Sequence, residues 1–175
     1  MNIFALDIDP CKAAQAHCDK HVVKMIVESA QILSTVWHIQ SEDAWLLIPA
    51  EAYKATHRNH PCVKWAARNG ANYRWLWRLA SSLGVEFVFR YGHRHKSVDV
   101  INALNEPPSC IPSGPLQSFA LAMPEEFSTD YYTHISHGMT AHEAAVECYR
   151  EYYRCAKAHI LNYRKRTPPA WLFND

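Results

Sequence analysis

The sequence predicts a single, mainly α-helical domain built on three long helices, and three observations lead to this prediction. Apolar residues recur with helical spacing over about residues 10–38, 61–91 and 140–163. Residues that favour helix starts and stops flank these stretches. The chain has only five glycines among 175 residues and no series of closely spaced turns, which argues against an all-β sandwich. We therefore expect one helical domain over residues 1–175, with one apolar core.

The first predicted elements are a short extended segment at Asn2–Leu6 and a long helix. Asp9-Pro10 favours a helix start, because Asp caps a helix and Pro fits the first helical position. This helix is predicted to run to about His38, and residues 40–53 form a connection that has room for a short helix.

The second long helix is predicted to start at His60-Pro61, to be interrupted near Gly70 and to stop at Gly92. Residues 97–104 fit a short helix. Four prolines and one glycine predict a loop over residues 105–117. The Thr140–Glu143 stretch is a capping box that opens the third long helix.

The cysteines and the apolar runs bear on location. The six cysteines form no C-x-x-C pair, and the chain starts with polar and acidic residues. No apolar run approaches the roughly 18 residues of a membrane span. We expect reduced thiols, no membrane segment, a cytoplasmic location (the host cytoplasm for a phage protein) and a monomer.

Positive charge is concentrated in one part of a chain whose formal net charge is only +1. Nine Lys and Arg residues lie between Lys54 and Lys96, where Glu86 is the only acid. A concentrated basic segment is typical of a phosphate-binding face. The alternative interpretation is a solvated helix face.

The first long helix carries a narrow polar stripe. At about 100° per residue, His21, Lys24 and Glu28 fall on the same side as His17, with Lys20 at the edge. These groups suit acid–base chemistry and hydrogen bonding to a polar substrate. The stripe is therefore a candidate active site, and Glu28 is its only acid. The alternative is that the stripe only faces water.

A zinc site is the alternative chemistry for these histidines. His17 and His21 have a spacing that can chelate zinc, and the pairs at 57/60 and 93/95 are further candidates. No second pair has a standard zinc spacing, and lysines lie beside the first pair. We expect neither a metal nor a cofactor.

Two short polar clusters flank the second long helix. Both are basic and loop-like, and such segments bind phosphate well. We expect DNA contacts from residues of the first cluster, His57, Arg58, Asn59 and His60, and of the second, Arg90, His93, Arg94, His95 and Lys96.

The stretch from Ala16 to Glu28 resembles the first helix of pyrimidine-dimer DNA glycosylases of the endonuclease V type. In that family an A-D-x-H element precedes the catalytic Glu by seven residues, and Asp19, His21 and Glu28 match those positions. The Arg166–Trp171 tail is similar to the family's Arg-Pro-Thr-Trp ending, and residues 69–91 resemble its central helix. The segments 57–61 and 119–124 resemble phage-encoded proteins given the same description.

The resemblance implies an all-helical fold, DNA as the substrate and Glu28 beside the reacting sugar. It also implies that an N-terminal α-amine attacks C1′ of the sugar and forms an imine; such an amine, with a pKa near about 8, suits the role. The lead-in to the Asp-x-His element is about five residues longer here than in the family. This raises the hypothesis that the amine does not reach the site. Two arginines of the family are replaced by Val27 and Gln31.

Three functions remain open from the sequence. The first is a DNA glycosylase, with or without lyase activity, that acts on a damaged or modified pyrimidine. The second is a phage-type transferase that attaches the amine of a free amino acid to an activated pyrimidine in DNA. The third is a DNA-binding module without catalysis. For an enzyme, the expected catalytic residues are Glu28, His21, Lys24 and Asp19, and further DNA contacts are expected from His17, Lys20, Arg166 and Trp171.

Overall fold

The computed structural model describes residues 1–40 and 48–173. Within these ranges the regular secondary structure is helical, and no strand occurs, so the all-α prediction is confirmed. The α-helices in these ranges are α1 (Pro10–Ala16), α2 (Asp19–Gln40), α3 (Pro61–Arg68), α4 (Gly70–Tyr91), α5 (Ser97–Ala103), α6 (Tyr131–Ser136) and α7 (Ala141–Ala156). Short 3-10 turns occur at Glu125–Phe127, Ala158–Ile160 and Ala170–Leu172.

The first predicted long helix is two helices. Asp9 caps α1 as expected, since its side chain accepts hydrogen bonds from two backbone amides of the first turn. The helix then breaks, with His17 in an extended conformation. The Cys18 amide donates to the Tyr153 hydroxyl at 2.9 Å, and the Asp19 amide donates to the Asn162 carbonyl at 2.8 Å. These two distant partners replace the helical hydrogen bonds, and no sequence period signals them.

The second predicted long helix is interrupted where expected. Asn69 is extended, and its side chain caps α4 by accepting from the Asn72 amide at 2.9 Å. The Gly70 amide donates to the Pro112 carbonyl at 2.9 Å. At the other end, Gly92 adopts φ +78° and its amide donates to the Val88 carbonyl at 2.8 Å, so Gly92 ends α4 as predicted.

The third long helix is shorter than predicted. The capping box is present, with Thr140 and Glu143 bonded reciprocally, but α7 ends at Ala156 rather than near residue 163. The short helix α5 and the proline-rich loop are found where they were expected. Most of the short-helix prediction for residues 40–53 falls on residues 41–47, which lie outside the described ranges.

The helices pack around α2 and α4, which are 22 residues long each and contact one another; α3 and α5 contact both of them, and α1 contacts α4. The extended N-terminal segment Asn2–Leu6 is buried in this assembly, and Tyr149 and Tyr153 of α7 join the same apolar cluster. Each fully buried large apolar side chain contributes about 1.5–3 kcal/mol to folding. None of the described helices is long and apolar enough to cross a membrane.

Candidate active site

The N-terminal segment enters the interior and turns sharply beside α2. The side-chain oxygen of Asn2 accepts hydrogen bonds from the amides of Ile3, at 2.7 Å, and Phe4, at 3.1 Å. The side-chain Nδ2 of Asn2 donates to the Ala122 carbonyl at 2.6 Å. Phe4 has φ +39°, a left-handed conformation that costs energy for a bulky side chain. Asn2 therefore fixes the orientation of the first peptide unit beside α2.

Glu28 is the centre of the candidate site, and it is buried on α2. Its Oε2 accepts a 2.7 Å hydrogen bond from the backbone amide of Asn2. The α-amine of Met1 lies 3.9 Å from the same oxygen. The Lys24 ammonium lies 3.3 Å from Oε1, on a side chain that is 64% exposed. The carboxylate thus faces an amine on one side and a solvent-exposed ammonium on the other.

This geometry corrects the hypothesis that the longer lead-in displaces the amine from the site. The Met1 side chain is only 3% exposed and packs against the core. The buried turn at Asn2–Leu6 places the amine beside Glu28. Burial of the first side chain stabilises this position of the terminus.

His21 lies on α2 as predicted, but it faces an aromatic cluster rather than water. Its ring centroid is 4.6 Å from that of Phe4 and 5.2 Å from that of Tyr153. The Tyr152 ring stacks on Phe4 at 5.7 Å with an interplanar angle of 12°. Burial lowers the pKa of His21 to about 3, and neighbouring positive charges add to the lowering. His21 is therefore neutral at physiological pH, and it packs directly beneath Phe4.

His17 differs from its predicted position on the exposed stripe. It lies in the break before α2 and is fully buried, so a direct DNA contact from its side chain is not supported. Its Nδ1–H donates to the Ala13 carbonyl at 2.6 Å, and its Nε2 has no hydrogen-bond partner. Burial lowers the pKa of His17 to about 4, although the hydrogen bond to Ala13 opposes that shift.

Among residues 1–40 and 48–173, no three His, Cys, Asp or Glu side chains are arranged to hold a metal ion.

The first polar cluster lies on the candidate site's side of α2. The Thr35 hydroxyl accepts from the Thr56 amide at 3.1 Å, and its single proton is shared between the Gln31 carbonyl, at 2.7 Å, and the Thr56 carbonyl, at 3.2 Å. His57 adopts φ +50°, and the His60 amide donates to its carbonyl at 2.8 Å. The α-amine and the Glu28 carboxylate lie close enough to His60 to affect its pKa.

Arg58 and Asn59 are exposed in the same turn and line a groove of about 480 Å³. The groove continues along α3, where it is lined by Lys64 and Arg68. The structure therefore places this part of the basic segment on one continuous surface, as a phosphate-binding face requires.

Asp19, Arg90 and Arg166 belong to a buried ion-pair cluster. Arg90 is 1% exposed, and it contacts Glu86 at 2.6 Å and Asp19 at 3.0 Å. Arg166 contacts Glu86 at 2.8 Å. The Asp19 carboxylate also accepts from the Arg164 amide at 2.9 Å. The prediction of a phosphate contact for Arg90 is wrong, because its guanidinium is enclosed. Asp19 holds the C-terminal tail against α2 and is not a free carboxylate.

The second polar cluster forms a turn after α4 with contacts of its own. His93 and His95 pack edge-on against Phe87, at 5.1 and 5.0 Å between ring centroids. Arg94 pairs with Asp99 at 2.6 Å on the surface. Lys96 is exposed, as is Lys20 on α2. The exposed cations of this turn remain candidates for phosphate contacts.

Trp171 packs against α7 near the end of the described chain. The Arg150 guanidinium lies 5.4 Å from the centroid of its ring, and the Tyr153 ring lies 6.1 Å from it. Trp171 and Arg166 also line a groove of about 360 Å³ together with Lys12 of α1. The tail thus covers the break between α1 and α2.

The sequence interpretation missed the aromatic support of the site. Tyr149, Tyr152 and Tyr153 of α7 all contact Phe4, with centroid distances of 6.0, 5.7 and 5.5 Å. Their spacing on a predicted helix places them on one face, which was a usable signal. Nothing in the sequence pattern indicated that Asn2 orients the terminus.

The described residues thus combine a helical fold, a buried carboxylate on α2 and an α-amine 3.9 Å from that carboxylate. The family model described as pyrimidine dimer DNA glycosylase matches residues 1–98, and the chain belongs to this family. The matched range contains the N-terminal segment, α2, the first polar cluster and α4. Comparison with curated proteins and with solved structures found no significant match.

Proposed function

We propose that the protein is a DNA glycosylase that acts on a damaged or modified pyrimidine and that uses its N-terminal α-amine as the nucleophile. One observation carries the proposal: the Met1 α-amine lies 3.9 Å from the buried carboxylate of Glu28. An amine nucleophile needs a nearby base that takes up its proton. The Asn2 amide, bonded to the same oxygen at 2.7 Å, holds that base in position.

The reaction follows from this pair. The neutral amine attacks C1′ of the target nucleotide, and the bond from C1′ to the base breaks, with its electron pair leaving on the base. The base takes a proton from solvent, and Glu28 accepts the proton that the new C1′ ammonium loses. Glu28 returns this proton to O4′ as the C1′–O4′ bond opens, and the lone pair of the nitrogen forms the C1′–N double bond of a protonated imine. Water hydrolyses the imine and frees the enzyme; elimination of the 3′-phosphate before hydrolysis would add lyase activity.

The surroundings of Glu28 suit a DNA substrate. The Lys24 side chain is exposed and pairs with Glu28 at 3.3 Å, so its ammonium can reach a backbone phosphate while remaining beside the carboxylate. The basic groove lined by Arg58, Lys64 and Arg68 begins at the first polar cluster. A nucleobase that is stacked inside a duplex cannot reach a buried carboxylate. The target nucleotide or its partner must therefore leave the stack, at a cost of a few kcal/mol.

The transferase interpretation loses its main support. It depended on an α-amine displaced from the site, with a free amino acid taking its place. Because the amine occupies the position beside Glu28, a second amine would have to compete with it there. No contact among the described residues favours a separate amino acid site.

Reductive trapping tests the proposal. The protein is incubated with borohydride and duplex DNA that carries either an abasic site or a cis-syn thymine dimer. We expect a covalent protein–DNA adduct that peptide mass spectrometry assigns to the amine of Met1. The matched control is a variant with Gly-Ser added before Met1, which should bind DNA but form no adduct.

Two outcomes would count against the proposal in different ways. An adduct on Lys24, or base release without an adduct, would refute the role of the α-amine. DNA binding without base release from any damaged or modified duplex would refute the glycosylase and favour the non-catalytic DNA-binding module.

A further inference from the structure

We infer that His60 is a substrate-binding residue whose Nε2–H donates a hydrogen bond to a phosphate oxygen of the target strand, next to the nucleotide whose sugar meets the α-amine. The inference rests on the proposed function and adds a residue that positions the sugar. Three features of the structure lead to it: the fixed orientation of the ring, the rigid attachment of its loop and the groups around it.

The orientation of the imidazole is fixed by the start of α3. His60 is the N-cap residue of this helix, and its Nδ1 accepts a 3.2 Å hydrogen bond from the Cys62 amide. A nitrogen that accepts this bond cannot carry a proton. The proton of the neutral ring is therefore on Nε2, on the far side of the ring from the helix. His60 is half-buried, and its Nε2 is not one of the buried side-chain nitrogens of the described residues that lack a hydrogen-bond partner.

The backbone of His60 is held from both sides. The 3.1 Å hydrogen bond from the Thr56 amide to the Thr35 hydroxyl attaches the loop to α2, two turns beyond Glu28. On the other side, the Cys62 thiol is buried against the backbone of Ile3, the residue that follows Asn2. The loop is thus joined both to the helix that carries Glu28 and to the segment that carries the amine.

Partial burial, with the positive charges nearby, favours the neutral form of the His60 ring, which is a hydrogen-bond donor at Nε2. Its pKa is lowered, first by partial burial and then by the nearby α-amine and His57, while Glu28 opposes the shift. A neutral donor beside the positive end of α3 suits a phosphate oxygen, because the helix dipole also favours an anion there. A neutral ring gives a contact that orients DNA without displacing a counterion.

Two substitutions separate this role from helix capping. His60→Asn keeps an acceptor at the position of Nδ1 and is a strong N-cap, but it has no donor at the position of Nε2. His60→Gln places an amide donor near the position of Nε2 but loses the short-range acceptor. The two variants therefore remove one function each.

The measurements are the melting temperature and the affinity for a duplex that carries a tetrahydrofuran abasic analogue, which needs no turnover. We expect His60→Asn to melt like the wild type, yet to bind about tenfold more weakly with an unchanged slope of log affinity against log salt. We expect His60→Gln to melt about 2–4 °C lower and to bind within about threefold of the wild type.

Wild-type affinity in His60→Asn would overturn the inference, and so would equal weakening in both variants, because that pattern indicates capping alone. A decrease in the salt slope by about one unit would also overturn it, since the ring would then act as a cation. These outcomes differ from failure of the proposed function, which is absence of base release and of trapping by the wild-type protein.

Discussion

The backbone amide of Asn2 and the carboxylate of Glu28 are joined by a 2.7 Å hydrogen bond across 26 positions of the chain. The bond attaches the first peptide unit to the middle of α2, and the Met1 amine lies 3.9 Å from the same oxygen. An amide donor to a carboxylate fixes the direction of its remaining lone pairs. Glu28 therefore presents to the amine an oxygen whose position does not depend on substrate.

The first prediction concerns Glu28. Glu28→Gln keeps an oxygen that can accept from the Asn2 amide, so we expect the fold and most of the DNA affinity to persist. It removes the base, so base release in single-turnover assays should fall by about a hundredfold or more. The matched control is Glu51→Gln, an exposed carboxylate in the connection after α2, which should retain activity. Full activity in correctly folded Glu28→Gln would remove the carboxylate from the mechanism.

The second prediction concerns stability in mild acid. The pKa values of His17 and His21 are lowered to about 4 and about 3, below the usual 6.5 of an unfolded chain. Below pH 6.5 the two histidines are protonated in the unfolded state but remain neutral in the native state. Their contribution to the free energy of unfolding is therefore fully present above pH 6.5 and is lost as the pH falls toward 3–4. Between pH 7 and 5 we expect a loss of about 1–2 kcal/mol for each ring.

Urea denaturation at a series of pH values checks this expectation. His17→Gln preserves a donor for the Ala13 carbonyl and should lose less stability over the same range. His137→Gln replaces an exposed histidine and should follow the wild-type curve. If His17→Gln and the wild type lose equal stability, another group titrates. Glu86, whose pKa is lowered by its two arginine partners against the effect of burial, titrates below its ordinary 4.5 and so acts mainly at lower pH.

The third prediction concerns Arg90. Arg90→Met removes one partner from the buried Glu86 and leaves that carboxylate with Arg166, whose side chain is 33% exposed. We expect the free energy of unfolding to fall by about 3–5 kcal/mol. The double variant Arg90→Met with Glu86→Gln should recover part of this loss, because the most buried carboxylate of the cluster is then neutral and Asp19 keeps the hydrogen bond from the Arg164 amide. Equal destabilisation in the single and double variants would show that packing, not charge, dominates.

The fourth prediction concerns the exposed cations. If Lys96 contacts a phosphate, Lys96→Ala should weaken binding to all duplexes alike and reduce the slope of log affinity against log salt by about one unit. Arg94→Ala should do the same only if DNA displaces Asp99 from its 2.6 Å ion pair. Fluorescence anisotropy over a range of salt concentrations checks both. An unchanged slope in both variants would place the DNA path elsewhere.

Features of the fold that depend on neighbours in sequence were predictable. Asp9 and Thr140 cap their helices, and Gly92 ends α4, because each acts on backbone groups within a few residues. The family resemblance and the helical wheel both pointed to Glu28 and His21. Both rely on short spacings within one helix, and Asp19, His21 and Glu28 all lie on α2. The chain's membership of the family is confirmed by the match over residues 1–98.

Features set by distant partners were not predictable. The break at His17 depends on Tyr153, which is 135 positions from its partner Cys18. The burial of Arg90 depends on Asp19, 71 positions away, and on Glu86, whose i,i+4 spacing alone is equally typical of a solvated pair. The longer lead-in led to the hypothesis that the α-amine does not reach the site, because a count of residues does not reveal a buried turn.

The aromatic support from α7 has a consequence for how the chain folds. The range that carries the family match ends at residue 98, whereas the rings that hold Phe4 come from Tyr149, Tyr152 and Tyr153. The amide of Ala122 likewise donates to the Tyr149 hydroxyl at 3.2 Å, which links the segment above Asn2 to α7. Contacts this far apart in sequence form late and slow the search for the native state. A nascent chain of which only the first 98 residues have left the ribosome would therefore contain Met1 and Glu28. It would still lack the three tyrosines of α7 that pack against Phe4.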